Sequence, residues 1–301
     1  MAPLVPMQIA LAALQDVLFA TAAGVFACAL IGKTSGMGMR AALRGWRTGL
    51  AITLAVTALA YLWLQAAVMS GLPLAEAGGA VGAVLTASHY GIAWSVGFVG
   101  TLLAMLGGVW HRRGLPLFAA GLVAWAAGKA AASHAAAPGD FSMREAVHVV
   151  HLCATALWAG SVIVAAQVLR RGAPGTRAAA GQRAAFCAGL SHLATAALVV
   201  VLATGFYNVM LDTAHASAPL LGIAWGRLLA VKLTCVAAAV ALGGWNRLRV
   251  LPDLCAQAGQ DGAATTVAQG RFNAWLTAEA FVMLIILVLA AVLGHTSPTG
   301  R

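Results

Sequence analysis

LTAEAFVMLIILVLAAVLG, residues 276–294, is the stretch of sequence that decides the fold, and Glu279 is its one charged residue. An α-helix needs about 20 mainly apolar residues to cross the hydrocarbon core of a bilayer. Inside that core the backbone must satisfy its own hydrogen bonds, which a helix does within a single segment. The stretch therefore predicts a transmembrane helix.

Similar apolar runs fill the rest of the chain, which is 61% hydrophobic and only 9% charged. Soluble domains carry roughly 25% charged residues, so a soluble protein is excluded. The runs are continuous, whereas the strands of a membrane β-barrel alternate apolar and polar residues. The sequence predicts an all-α integral membrane protein, a single polytopic domain over residues 1–301. Its eight predicted transmembrane segments are 8–31, 48–69, 90–110, 115–134, 145–169, 184–211, 223–244 and 272–294.

The basic residues predict the orientation of these segments, because cytoplasmic loops are enriched in Lys and Arg. They concentrate in alternate loops, the first, third, fifth and seventh. These residues are Lys33, Arg40, Arg44, Arg47, Arg112, Arg113, Arg170, Arg171, Arg177, Arg183, Arg247, Arg249 and Arg271. We therefore expect these loops in the cytoplasm and both termini in the periplasm. The same rule accounts for the net charge of +10 without a nucleic-acid partner, and no basic stretch has the interleaved aromatic residues of such a site.

Histidines gather on the side of the membrane opposite the basic loops. The densest group lies in SHAAAPGDFSMREAVHVVHLCATALW, residues 133–158, around the connection between the fourth and fifth segments. His148 and His151 are three residues apart and so share one helix face, while His134 ends the preceding segment and Met143 lies between. Imidazole is the commonest protein metal ligand and thioether suits Cu(I). The pattern is consistent with an outer copper site or with interfacial histidines.

Two further residues are candidates for this outer site. His89 begins the third segment and would join the site if the third and fifth segments are neighbours. Met69 closes the second segment on the same side of the membrane. Five cysteines without a CxxC pair predict neither a disulfide framework nor a structural zinc site.

Four polar residues lie deep within predicted segments: Asp16, His192, Lys232 and Glu279. A charge in the bilayer core costs about 2.5–3.5 kcal/mol on insertion scales unless it is paired. Lys232 and Glu279 are both expected near the midplane. These residues are either structural ion pairs or the polar lining of a translocation pathway, with Asp16 and His192 as its titrating members.

Several motifs resemble those of the CopD copper-resistance membrane proteins. They are SHA from Ser133, HLCATALWAG from His151, ATGFYN at 203–208, GIAWGRLLAVKL at 222–233, GGWNR at 243–247 and LTAEAF from Leu276. The upstream stretches AAVMSGLPLAEA and ASHYGIAW extend the resemblance over nearly the whole chain. It implies a multi-pass protein of the bacterial inner membrane that brings copper in from the periplasm, beside a periplasmic copper carrier of the CopC type. It also implies His134 and His151 as ligands, whereas His148 and His192 depart from the family's pattern.

We therefore expect a copper transporter rather than an enzyme, since the chain lacks a Walker motif, HExxH and a nucleophile elbow. The expected ligands of Cu(I) or Cu(II) are His134, His148 and His151, joined by His89, Met69 or Met143. Asp16, His192, Lys232 and Glu279 would line the route inward. Two alternatives stay open: a haem-binding electron-transfer protein, because transmembrane histidines serve as axial ligands, and a copper-binding sensor or assembly factor that does not transport.

Overall fold

The computed structural model describes residues 4–110, 114–133, 139, 141–171, 177–213, 219–257 and 263–296. The described residues form helices and contain no strand. The helices are α1 (Leu4–Thr34), α2 (Arg40–Ser70), α3 (Gly78–Ala87), α4 (His89–Val109), α5 (Gly114–Ala131), α6 (Met143–Arg171), α7 (Arg177–Thr213), α8 (Ala224–Trp245), α9 (Leu251–Gln257) and α10 (Ala263–Gly294).

Eight of these helices are long and apolar enough to cross a membrane, and each contains the core of one predicted segment. The predicted all-α architecture is confirmed. The structure adds α3, which lies in the connection after the second segment, and several helices extend beyond the predicted segments. The clearest extension is α10, which begins at Ala263 rather than near residue 272. The first turns of α10 are polar and therefore invisible to hydropathy. They are helical because Ala268 and Phe272 are buried against the rest of the protein.

Local sequence explains where several helices begin and end. The Ser88 hydroxyl accepts a hydrogen bond from the Gly91 N–H at the start of α4, a standard N-terminal cap. Ser142 accepts from the Glu145 N–H, and the Glu145 carboxylate accepts from the Phe141 N–H, before α6. Gly71 ends α2 with a φ of 72°, a left-handed conformation that glycine adopts without strain.

Helix α6 is the central helix and packs against α1, α5, α7 and α10. At its crossing with α1, Gly24 and Gly160 face each other so closely that a Cβ on either residue would overlap the opposite backbone. Helices α4 and α5 pack in the same way through Gly107, Gly114 and Gly121. Small residues at such crossings let membrane helices approach closely, which explains the glycines at these positions.

Helix α8 lies at the edge of the bundle, where it packs against α10. It continues through a short π-helix, Asn246–Val250, into α9. A cavity of about 220 Å³ lies between α7 and α8, with α6 and α10 contributing to its walls. This cavity is close to the end of α8, whereas the predicted histidine site is at the opposite end of the bundle, where α6 begins and α7 ends. These are called below the α8 end and the histidine end.

Candidate metal site and polar path

The site begins with two histidine rings on the first turns of α6. His148 and His151 are stacked, with ring centroids 6.3 Å apart and an angle of 19° between the planes. Both side chains are half-buried, and both make contacts with α7. The i, i+3 spacing therefore places two imidazoles on one face, as predicted, and α7 is the helix that they face.

The tautomer of His151 follows from its hydrogen bonds. Its Nδ1 lies 2.9 Å from the Thr204 hydroxyl oxygen on α7. That hydroxyl donates its own proton to the Val200 carbonyl at 2.6 Å, so towards His151 its oxygen acts as an acceptor. Nδ1 therefore carries the hydrogen of the neutral ring, and Nε2 keeps a free lone pair. Fixing one ring nitrogen in this way is how proteins orient a metal-binding histidine.

Gly205 provides the space for this ring. A Cβ at position 205 would lie 3.2 Å from Cε1 of His151, closer than ordinary van der Waals contact. The ATGFYN stretch thus supplies the hydrogen-bond partner and, one residue later, the gap that the imidazole occupies.

His148 is held less firmly than His151. Its Nδ1 lies 3.4 Å from the amide nitrogen of Asn208, at the long end of hydrogen-bond distances. His151 is therefore the better prepared of the two ligands.

Ion pairs connect the helices around the histidines. Arg144, at the start of α6, pairs with Asp212 at the end of α7. Asp16 of α1 pairs with Lys129 of α5. Lys232 of α8 lies within electrostatic range of both Asp16 and Asp212. The sequence alone did not identify Lys129 as the partner of Asp16. A lysine within a predicted transmembrane segment does, however, indicate that an acidic partner is needed nearby.

The other predicted ligands do not all meet at this pair. His134 lies outside the described residues. Helix α5 lies between α4 and α6, so the third and fifth predicted segments are not direct neighbours, which was the condition for adding His89 to the pair. Met69 and Met143 are 47% and 72% exposed at their helix ends. Within the part of the chain that the structure describes, no three His, Cys, Asp or Glu side chains converge on one metal position.

Two of the residues predicted to line the route inward are also placed apart. His192 is exposed on the outside of α7, so the structure does not bring it to Asp16. Glu279 is only 5% exposed and faces Gly243 near the α8 end. Lys232 is eleven residues before Gly243, or about 16 Å at 1.5 Å per residue. The two charges expected together near the midplane are thus well separated in depth.

A polar face of α6 connects the two ends of the bundle. Thr155 follows His151 by one turn, and its buried Oγ1 has no hydrogen-bond partner among the described residues. Trp158 follows Thr155 on the same face and lines the cavity near Glu279. On α7, Thr204 contacts His151 while Ser191 and Thr195 line the cavity. The same two helices therefore form the walls of both regions.

Comparison with protein families assigns most of the chain. Residues 1–143 match the family described as Copper resistance protein D-like, N-terminal domain, and residues 184–293 match Copper resistance protein D. The chain belongs to the copper resistance protein D family. This confirms the resemblance stated from the motifs, and with eight apolar helices it gives the protein a copper-related role in a membrane. Comparisons with curated proteins and with solved structures found no match.

The two matched ranges of this copper resistance protein D family member leave out most of α6. His148 and His151 therefore lie between them, whereas Thr204, Gly205 and Asn208 lie inside the second range. From the sequence alone, ATGFYN is a family motif without an assigned role. Its role beside His151 became visible once the register of α6 against α7 was known.

Proposed function

We propose that this protein carries copper across the bacterial inner membrane, from the periplasm to the cytoplasm, through a site built on His151 and His148. One observation carries the proposal: His151 faces α7 with its Nδ1 hydrogen-bonded to Thr204, in a chain of the copper resistance protein D family. A neutral imidazole with one nitrogen fixed is prepared to bind Cu(I) or Cu(II).

The remaining ligands would come from the residues around this pair. His134 follows α5 closely in sequence, and Met143 begins α6. His89 and Met69, at the ends of α4 and α2, would serve copper on its approach rather than in the bound site. A periplasmic carrier of the CopC type would deliver the metal. Thioether ligands would favour Cu(I) over Cu(II).

The orientation of the protein rests on the positive-inside rule, and the inward direction of transport is what the family resemblance implies. The basic loops lie at the α8 end of the bundle, with Arg247 and Arg249 in the π-helix, and Arg170 and Arg171 in the last turn of α6. This end would be cytoplasmic and the histidine end periplasmic. Copper would then pass from His151 along the Thr155 face of α6 towards the cavity.

A pair of histidine variants tests the site. His151→Ala should lose most stoichiometric copper binding in detergent and most copper uptake by proteoliposomes. His295→Ala is the matched control at the same end, because both of its ring nitrogens are used within the protein, Nε2 by Tyr61 and Nδ1 by the Ala291 carbonyl. Unchanged binding in His151→Ala would refute the site.

The same preparation separates the alternatives. A Soret absorption band in the purified protein would indicate haem and electron transfer instead. Copper binding that depends on His151, without uptake above that of empty vesicles, would indicate a sensor or assembly factor.

A further inference from the structure

The cavity at the α8 end contains polar groups that the histidine site does not use. It is lined by Ser191 of α7, Gly243 of α8, Asn246 of the π-helix and Glu279 of α10. Its volume of about 220 Å³ has room for several waters, since one water occupies about 30 Å³ in the liquid. Most of its other walls are apolar, so these polar groups depend on one another or on water.

Glu279 is a buried carboxyl group without a partner. The residue is 5% exposed, and no donor or basic side chain among the described residues pairs with its carboxyl oxygens. A Cβ on Gly243 would lie 2.9 Å from Oε1, so the glycine makes the space that the carboxyl group occupies. A lone carboxylate buried in a membrane protein is costly, and binding a proton removes the charge that causes this cost.

Asn246 supplies a second, independent indication. It is 5% exposed, and its Oδ1 has no hydrogen-bond partner within the described structure. It follows Gly243 by three residues, which places it on the same side of the helix as the glycine that faces Glu279. A protonated carboxyl group has an O–H donor, and a donor is what this buried acceptor lacks. One proton on Glu279, reaching Asn246 directly or through a cavity water, would therefore satisfy both groups.

Arg247 and Cys187 are further ionisable groups that line the cavity. Nη1 of Arg247 donates to the Ser191 carbonyl and hydroxyl and to the Thr195 hydroxyl, at 3.0, 3.2 and 2.7 Å. These bonds hold the guanidinium against α7, and Cys187 is a buried free thiol. Because a fixed guanidinium repels a metal ion, the two oxygen acceptors of this cavity suit a proton better than a metal.

The other elements packed against α10 are α1, α6, α8, α9 and the π-helix. Apart from Arg247, none of their charged or titratable side chains lines the cavity. These residues are Asp16, Cys28 and Lys33; Arg144, Glu145, His148, His151, Cys153, Arg170 and Arg171; Arg227, Lys232 and Cys235; and Arg249, Asp253 and Cys255. The charge of Glu279 therefore depends mainly on the proton it binds.

We propose that Glu279 is a proton-binding site of this transporter: its carboxyl group holds one proton and releases it to water in the cavity when a copper ion passes along α6. The inference rests on the proposed function, because copper is the cation that would favour the release. The step breaks one O–H bond, leaves the carboxylate on Glu279 and transfers the proton to water at the cytoplasmic end.

The carboxylate then balances the charge of the passing ion without binding it. Trp158, which follows Thr155 on the polar face of α6, lines the same cavity as Glu279, so an ion on that face comes close to the carboxyl group. At an effective dielectric constant near 20, a charge about 10 Å away changes an equilibrium by more than tenfold.

Infrared spectroscopy of the full-length protein in an ester-free detergent detects the proton directly. A protonated carboxyl group has a C=O stretching band that a carboxylate lacks and that shifts in D₂O. At pH about 6, exposed carboxyl groups with ordinary pKa values of about 4 are ionised, so the wild type should show one such band. Glu279→Gln should remove it, and Asn246→Leu should raise its frequency by removing the acceptor. Glu76→Gln, at an exposed glutamate, is the matched control and should keep the band unchanged.

A wild type without this band, or a band that Glu279→Gln leaves in place, would overturn the proton site. A band at the wild-type frequency in Asn246→Leu would also overturn it, even if Glu279→Gln failed to fold.

Copper uptake by proteoliposomes tests the role of this proton in transport. Glu279→Gln cannot become negative, so it should slow uptake about tenfold or more, while copper binding that depends on His151 stays unchanged. Uptake at the wild-type rate in Glu279→Gln would overturn this role. A wild type that shows the infrared band but takes up no copper would instead refute the proposed function and keep the proton site.

Discussion

Replacing Thr204 by Val tests whether His151 is held ready for copper. The substitution keeps the shape of the side chain but removes the oxygen that lies 2.9 Å from Nδ1 of His151. A hydrogen bond of this kind contributes about 1 kcal/mol net, which alone corresponds to about a fivefold loss of affinity. Weaker orientation of the ring adds to this, and removing such partners typically costs 10–100-fold in metal affinity.

We therefore expect Thr204→Val to bind copper about tenfold more weakly than the wild type. Competition against a copper chelator in detergent measures the dissociation constant directly. Thr204→Ser keeps the hydroxyl and should stay close to the wild-type affinity. Thr234→Val is the control for removing a threonine hydroxyl, because the Thr234 side chain is exposed and bonds only to the Ala230 carbonyl of its own helix.

Two results would refute this reasoning. Wild-type affinity in Thr204→Val would mean that the Thr204 bond does not prepare His151. An equal loss in Thr204→Ser and Thr204→Val would mean that packing, rather than the hydroxyl, accounts for the effect.

The fold and its orientation allow three more predictions. Asp16→Asn should destabilise the protein by about 3 kcal/mol, because it leaves Lys129 partly buried without its partner. The double variant Asp16→Asn with Lys129→Met should recover most of the thermal stability, and no recovery would contradict the pairing. Gly160→Ala should lower the melting temperature and the yield of monodisperse protein, because its Cβ overlaps the backbone of α1, whereas Gly49→Ala meets open space and should be tolerated. An impermeant maleimide should label the exposed Cys255 in inside-out vesicles but not in intact spheroplasts, and the reverse pattern would invert the proposed orientation.

Hydropathy was sufficient to predict the transmembrane helices because the bilayer imposes one simple requirement, an apolar run of sufficient length. Hydropathy gives no information about helices that do not cross the bilayer. Helix α3 is too short to span a membrane, and the polar first turns of α10 are helical because of tertiary packing. Both were absent from the prediction for the same physical reason.

Predicting the candidate site required the relative positions of helices, which a single sequence does not contain. The pairing of His148 with His151 follows from spacing within one helix and could be predicted. The contact of His151 with Thr204 depends on the register of α6 against α7. The same holds for Asp16, whose partner is Lys129 of α5, and for Glu279, which lies beside Gly243 rather than Lys232.

The two interpretations of the intramembrane charges, structural ion pairs or part of the copper pathway, do not exclude each other. The ion pairs lie close enough to the histidines to affect the electric field at the metal site. The basic side chains whose charges reach His148 are Lys129, Arg144 and Lys232. At an effective dielectric constant near 20, one unpaired positive charge 10 Å away opposes a copper ion by about 1.7 kcal/mol, more than tenfold in affinity. Asp16 and Asp212, paired with Lys129 and Arg144, oppose this repulsion. Neutralising only the acid in Asp16→Asn should therefore weaken copper binding as well as stability, whereas neutralising both members of the pair should restore both properties together.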